Sequence, residues 1–130
     1  MREAILDYLN SLATGSFSVT SDLPWTSSGT PLYMTNPKRI YVDRPQVTHD
    51  PLLRTLDGTS INTEVTSILI YFTADAKQLP ANYETLVSNI KLARNIATIS
   101  GVSRRESDVT SEFNNDMLVT QIELRFTKLT

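Results

Sequence analysis

The chain has 130 residues, the usual length of a single domain and enough to bury a core without disulfides. It has no cysteine and one histidine, which excludes disulfides and thiolate metal sites and argues against a zinc centre. A formal net charge of -2 gives no electrostatic basis for nucleic acid as the main partner, and we expect no sequence-specific binding of nucleic acid. There is no run of about eighteen apolar residues and no continuous apolar stretch at the N-terminus, so we expect neither a membrane span nor a secretory signal.

The first segment, Arg2 to Leu12, predicts an amphipathic helix that docks on a sheet. Gly15 supplies a stop signal. The apolar side chains of this segment share one helical face: Ile5, Tyr8, Leu9 and Leu12.

A stretch rich in Ser, Thr, Pro and Gly follows, from Ser16 to Thr30, with a short alternating piece at Phe17 and Val19. Its single tryptophan, Trp25, has two interpretations. Either it folds back to cap the core, or it anchors a partner, since Trp is enriched in binding hot spots.

Residues Lys38 to Asp43 predict a strand that ends at Pro45. The cations around it, Lys38, Arg39 and Arg44, either line a solvated edge or contact a partner. Gln46 to Ser60 predicts a long hairpin or protruding loop, with a turn at Asp57 and Gly58.

The segment from Ile61 to Ser100 is the most apolar part of the chain and predicts the longest strand followed by the longest helix. Period-two alternation puts Ile68, Ile70 and Phe72 on one face of the strand and leaves the other face apolar as well. The apolar residues on that other face of the strand are Val65, Leu69 and Tyr71. The helix is predicted from Pro80 or Asn82 to about Ser100, before Gly101.

The C-terminal part predicts a β-hairpin. Its first strand, around Arg105 to Phe113, is polar enough for a sheet edge, with Val109 and Phe113 on one face. Its second strand alternates cleanly, with Leu118, Ile122, Leu124 and Phe126 inward. The whole chain therefore predicts one α+β domain, 1–130, in which a mostly antiparallel sheet of about four to five strands packs against two helices.

Catalytic signals are sparse, and we expect no enzyme activity and no cofactor. Asp75 and Lys77, two apart at the end of the long strand, match a pattern of metal-dependent nucleases if Asp57 or Glu64 supplies a further carboxylate. The alternative is that they are ordinary turn residues. His49 beside Asp50 has no serine-hydrolase motif to support it, and no glycine-rich phosphate loop is present.

The order of elements, together with four segments, resembles the tail-terminator proteins of long-tailed bacteriophages. The segments are KRIYVDRPQ (38–46), TLDGTSINTEV (55–65), IYFTADAKQLPANYETLV (70–87) and LVTQIELRF (118–126). The resemblance implies a subunit of a sixfold ring that caps the tail tube, stops its polymerisation and joins the tail to the head. The chain departs from a minimal member in its longer segment from Ser16 to Ser60.

The resemblance implies a virion protein of the tail or neck, assembled in the host cytoplasm. Its expected partners are further copies of itself, the tail tube protein, neck or connector proteins and the sheath protein of a contractile tail. We expect the subunit interface to include Val65, Leu69, Tyr71, Leu92 and Ile96. We expect partner contacts at Trp25, Lys38, Arg39, Arg104 and Arg105. The alternatives are a neck or head-completion protein and a small metal-dependent nuclease.

Overall fold

A computed structural model describes residues 1–54, 58 and 60–129. The fold is α+β with a mostly antiparallel sheet, as predicted. Within the described residues, however, the sheet has six strands rather than four to five, and there are three α-helices rather than two. In chain order the elements are α1 (Arg2–Ser11), β1 (Ser18–Val19), α2 (Leu32–Thr35), β2 (Arg39–Val42), β3 (Gln46–Arg54), β4 (Ser60–Asp75), α3 (Tyr83–Lys91), a 3-10 helix (Leu92–Asn95), β5 (Arg104–Asn114) and β6 (Met117–Leu129).

The sixteen-residue strand β4 is the centre of the sheet, whose order is β1-β2-β4-β6-β5. One edge of β4 pairs with β6 along almost its full length. The other edge pairs with two strands in tandem, because Val42 of β2 lies opposite Ile70 and Gln46 of β3 lies opposite Ser67. Pro45 falls in the break between them, where a residue without an N–H interrupts the ladder. The pair β1 and β2 is parallel, which makes the sheet mixed.

The main core lies between one face of the sheet, here called the helix face, and helices α1 and α3. Ile68, Ile70 and Phe72 of β4 are fully buried there, as their alternation predicts. Burial of each such side chain stabilises the fold by roughly 1.5–3 kcal/mol. The other fully buried side chains of this core include Ile5, Leu9, Ile40, Val42, Leu86, Ile90, Ile122 and Leu124.

The predicted long helix ends earlier than expected. Helix α3 stops at Lys91 and continues only as a 3-10 helix to Asn95, rather than reaching Ser100. The guanidinium group of Arg105 donates hydrogen bonds to the carbonyls of Arg94 (2.9 Å), Ile96 (3.0 Å) and Ile99. The Ile96 carbonyl also accepts the Ile99 N–H (3.2 Å). Arg105 thus supplies further donors to the backbone where the helix gives way to an irregular segment.

Helix α2 was not predicted from the sequence. It is a single turn in which the Leu32 N–H donates to the Pro24 carbonyl (2.7 Å), and the Thr73 Oγ1 of β4 ties it to the sheet by donating to the Tyr33 carbonyl (2.7 Å). Four residues are too few for a periodic signal, and tertiary contacts decide its conformation. These contacts place the segment from Pro24 to Thr35 on the face of the sheet opposite α1 and α3, here called the second face.

Candidate functional site

The residues nominated for metal-dependent chemistry do not converge. Glu64 and Asp75 lie eleven positions apart on the same extended strand, which separates them by roughly 36 Å at 3.3 Å per residue. The Asp75 carboxylate accepts the Lys77 N–H (2.9 Å), and the Lys77 ammonium group lies 3.4 Å from Asp116 across an exposed turn. Asp57 lies outside the described residues. Asp75 and Lys77 therefore have the contacts of turn residues.

The described residues contain no group of three or more His, Asp and Glu side chains placed to hold a metal ion. His49 is exposed on β3, where it pairs in register with Glu64. In the part of the chain that the structure describes, no helix is long and apolar enough to cross a membrane. The features left to consider are the surfaces of the sheet.

The second face carries an aromatic cluster, which we define as Trp25, Tyr33, Tyr41 and Tyr71. The rings of Tyr33 and Tyr71 stack with centroids 4.6 Å apart. Trp25 packs edge-on against both, at 5.2 Å from Tyr33 and 6.2 Å from Tyr71. Burial, followed by the nearby Asp43 and Tyr33, raises the pKa of Tyr71 to about 12. This cluster is a second, smaller core on the face where a subunit contact was predicted.

Tyr71 was predicted at the subunit interface, and in the single chain it is buried. Its side chain is buried by the segment from Pro24 to Thr35 of the same chain. Leu69 and Val65 on the same face are half-buried, and Leu69 packs against the cluster. The apolar excess of β4 is thus largely covered within the subunit.

The predicted interface residues from the long helix lie elsewhere. Leu92 is 45% exposed, and Ile96 is half-buried against the main core. Both belong to the helix layer, on the opposite side of the sheet from Val65, Leu69 and Tyr71. The five predicted interface residues therefore do not form one surface.

Arg105 was predicted as a partner contact, and in the structure it is half-buried. Its guanidinium group is occupied by the three carbonyls at the end of the helix and lies 6.0 Å from the ring centroid of Phe126. Arg104 is exposed and pairs with Glu106 at 3.2 Å. Lys38 and Arg39 are exposed at the start of β2. These last three remain accessible to a partner.

Trp25 combines the two interpretations given for it. Its ring caps the aromatic cluster, yet 40% of the residue is exposed. It also lines an open groove of about 430 Å³ with Leu23, Thr26, Ser27, Asp43 and Arg44.

The second face beside this cluster is charged rather than apolar. Arg125 contacts three carboxylates: Glu123, Glu106 at 3.3 Å and Asp108 at 2.5 Å. The hydrogen bonds to these carboxylates raise the pKa of Arg125, and the one to Asp108 has the largest effect. Ser67 donates a further hydrogen bond to Glu123 (2.8 Å). Arg125 and the three carboxylates neutralise one another within the chain, so this surface does not need a charged partner.

Of the large apolar side chains in the described residues, the one with the highest exposed fraction lies at a sheet edge. Phe113 of β5 is 76% exposed, and Val109, on the same face of that strand, is 38% exposed. On the opposite edge, Val47 of β3 is 51% exposed. The sequence placed Val109 and Phe113 on one face of an edge strand but did not identify them as a contact. The signal was the spacing of two large apolar residues in an otherwise polar strand.

Comparison with known proteins leaves the family of the chain open. No protein-family model matches the chain, and no curated protein matches it.

Proposed function

We propose that the chain is a structural virion subunit that forms a ring at the end of a phage tail tube, terminates tube polymerisation and provides a surface for joining the head. The proposal is supported by the resemblance to tail terminators and by one structural observation. On one side the sheet ends in β5, and on the other it ends in the two-residue strand β1 and, further along β4, in β3. The two long edge strands, β3 and β5, run in opposite directions.

The direction of each edge follows from the strand pairing. β4 and β5 are each antiparallel to β6, so they run in the same direction, whereas β3 is antiparallel to β4. Within the described residues, no strand pairs with the outer edge of β5. Unpaired edge N–H and C=O groups are a template for another strand. Two different edges that fit each other give head-to-tail contacts, which generate a ring if the rotation closes.

Light scattering and negative-stain imaging of the purified chain over a range of concentrations test the proposal. We expect annular particles whose mass is a multiple of 14.6 kDa. In a second arm, tube protein of the same phage is polymerised with and without the chain. We expect shorter tubes with a ring at one end. A chain that stays monomeric, both alone and with tubes, and leaves tube length unchanged would contradict the proposal.

The same arm distinguishes the alternative of a neck or head-completion protein. A protein of that kind leaves tube length unchanged and binds instead to the portal end of filled heads. Imaging of mixtures with heads and with tubes shows which particle carries the ring.

A further inference from the structure

We infer that the start of β3 in one copy of the chain pairs with the end of β5 in the next copy, so that the sheet continues from subunit to subunit. This inference rests on the proposed function, and it names the contact that builds the ring. The two segments are Gln46–His49 and Ser111–Asn114, and we call them the donor edge and the acceptor edge.

The acceptor edge is open and regular. β5 has eleven residues without a proline, and its register with β6 is unbroken from Arg104 to Asn114. Its last seven residues are all exposed. Natural edge strands that must not pair are usually shortened, bulged, interrupted by proline or lined with charged side chains. β5 has none of the first three features, and of its charged residues only Glu112 lies within the acceptor edge Ser111–Asn114. The edge is therefore suited to accept a strand.

The donor edge is limited at one end. The register of β3 with β4 is regular from Gln46 to Pro51 and shifts between Pro51 and Leu53. Proline has no N–H to donate and a bulge turns the strand aside. The part of β3 that offers a regular ladder is therefore the segment before Pro51.

The exposed apolar side chains of the two edges lie on the same face of the sheet. Val47 pairs with Thr66, which pairs with the buried Phe126, so Val47 lies on the helix face. Phe113 pairs with the buried Leu118 and lies on that face too. In a sheet that continues from copy to copy around a ring, the helix faces stay aligned. Val47 of one copy can then cover Phe113 of the next.

One antiparallel register satisfies both the apolar and the charged side chains. Opposite residues of an antiparallel pair point to the same face. Setting Val47 opposite Phe113 places Thr48 opposite Glu112 and Gln46 opposite Asn114, with His49 opposite Ser111. No like-charged residues face each other in this register. The alternative of setting Val47 opposite Val109 places Thr48 opposite Asp108 but leaves Phe113 uncovered.

The register also defines the shape of the assembly. Val47 is level with Thr66 of β4, whereas Phe113 is level, through Leu118, with Ala74, eight residues further along that strand. Successive copies are thus displaced along the strand direction. In a closed sheet such a stagger requires strands tilted from the ring axis.

The competing arrangement is a twofold dimer in which β5 pairs with β5 of a second copy. It covers Phe113 against Val109 twice but leaves Val47 exposed on both outer edges. It also ends at two copies, because an isologous contact uses the same surface on both partners. The head-to-tail pairing covers the exposed apolar residues of both edges, and we favour it for this reason.

Cysteine cross-linking of the full chain tests the inference, because the chain has no cysteine of its own. The double variant Val47→Cys, Phe113→Cys brings two thiols within the Cα separation that a disulfide needs if the register holds. Both positions are exposed, so the variant is expected to fold. The control pair is Thr48→Cys with Phe113→Cys, since Thr48 pairs with Val65 and lies on the second face.

After mild oxidation we expect a ladder of covalent oligomers from the double variant and loss of that ladder in the control pair and in each single variant. In the twofold arrangement, Phe113 faces Val109 of the other copy and Ser111 therefore faces Ser111. Covalent dimers from the single variant Ser111→Cys would overturn the inference in favour of that arrangement. Rings visible by imaging without the ladder would overturn the edge pairing and leave the proposed function standing. A ladder that forms open filaments and no rings would support the edge pairing and contradict the proposed function.

Discussion

Two apolar surfaces of this sheet have opposite fates. On the second face, Tyr71 is covered by Tyr33 and Trp25 of the same chain. At the β5 edge, Phe113 remains 76% exposed. Tyr71 therefore stabilises the subunit, whereas Phe113 is available to another molecule. The difference teaches that an apolar strand face is not by itself an interface, because a distant segment of the same chain can cover it.

The largest effect is expected from Ile70→Asp. Ile70 is fully buried in the main core, and the substitution removes roughly 1.5–3 kcal/mol of burial and places a carboxylate in an apolar site. We expect a chain that does not fold, measured by circular dichroism. The matched control is Leu69→Asp. Leu69 directly precedes Ile70, and its side chain is half-buried on the second face. We expect the Leu69→Asp variant to fold with reduced stability. Equal melting of the two variants would contradict the assignment of the faces.

Tyr71→Ala is expected to have the next largest effect. Truncation of a large buried ring costs about 3 kcal/mol or more, because the cavity is only partly refilled. Denaturant unfolding should show this loss in the free energy of unfolding. If Tyr71 were instead a free subunit contact, its truncation would leave the unfolding of the isolated subunit nearly unchanged.

The coverage of Tyr71 also predicts a pH dependence at alkaline pH. Because burial raises its pKa to about 12 in the folded state, against about 10 in the unfolded chain, the folded state keeps the proton longer. Stability from this group is complete below pH 10 and is lost as the pH rises towards 12. Ultraviolet absorbance of tyrosinate monitors the titration. Trp25→Ala opens the cluster and should lower the pKa of Tyr71, whereas Leu92→Ala, at an exposed site on the helix layer, should not.

The smallest effect on folding is expected from Phe113→Ser. An exposed substitution away from special features usually changes the free energy of unfolding by less than about 0.5 kcal/mol. We therefore expect an unchanged melting transition together with a loss of assembly in light scattering. Its matched control is Leu79→Ser, which is also exposed but lies in the turn before α3. A Phe113→Ser variant that assembles as the unchanged chain does would remove the acceptor edge from consideration.

Local patterns predicted much of the fold. Alternation in β6 gave its inward residues, because a half-buried strand repeats every two residues. The stripe from Ile5 to Leu9 gave α1, and the strand before Pro45 appeared as β2 within one residue at each end. The edge position of β5 followed from its low apolar content. These features depend on neighbouring residues alone.

Pairings between distant residues could not be predicted in this way. The end of α3 depends on Arg105, whose donors reach back across the chain to the carbonyls of Arg94, Ile96 and Ile99. As a cation in a polar strand, Arg105 looked like a partner contact. Helix α2 depends on contacts with Pro24, outside its own turn, and with Thr73, which lies forty residues from Tyr33 in sequence. No periodicity within a single turn reports such contacts.

The sequence by itself determined that β4 is apolar on both faces, that catalytic motifs are sparse, and that Val109 and Phe113 share a face. Only the tertiary structure decided what covers each surface. Burial depends on which distant segment packs against a strand, and the sequence places Trp25 and Tyr33 about forty positions before Tyr71 without linking them. The pairing of strands likewise decided that β3 and β5 form opposite edges running in opposite directions, since strand order is a property of the folded sheet and not of any single strand.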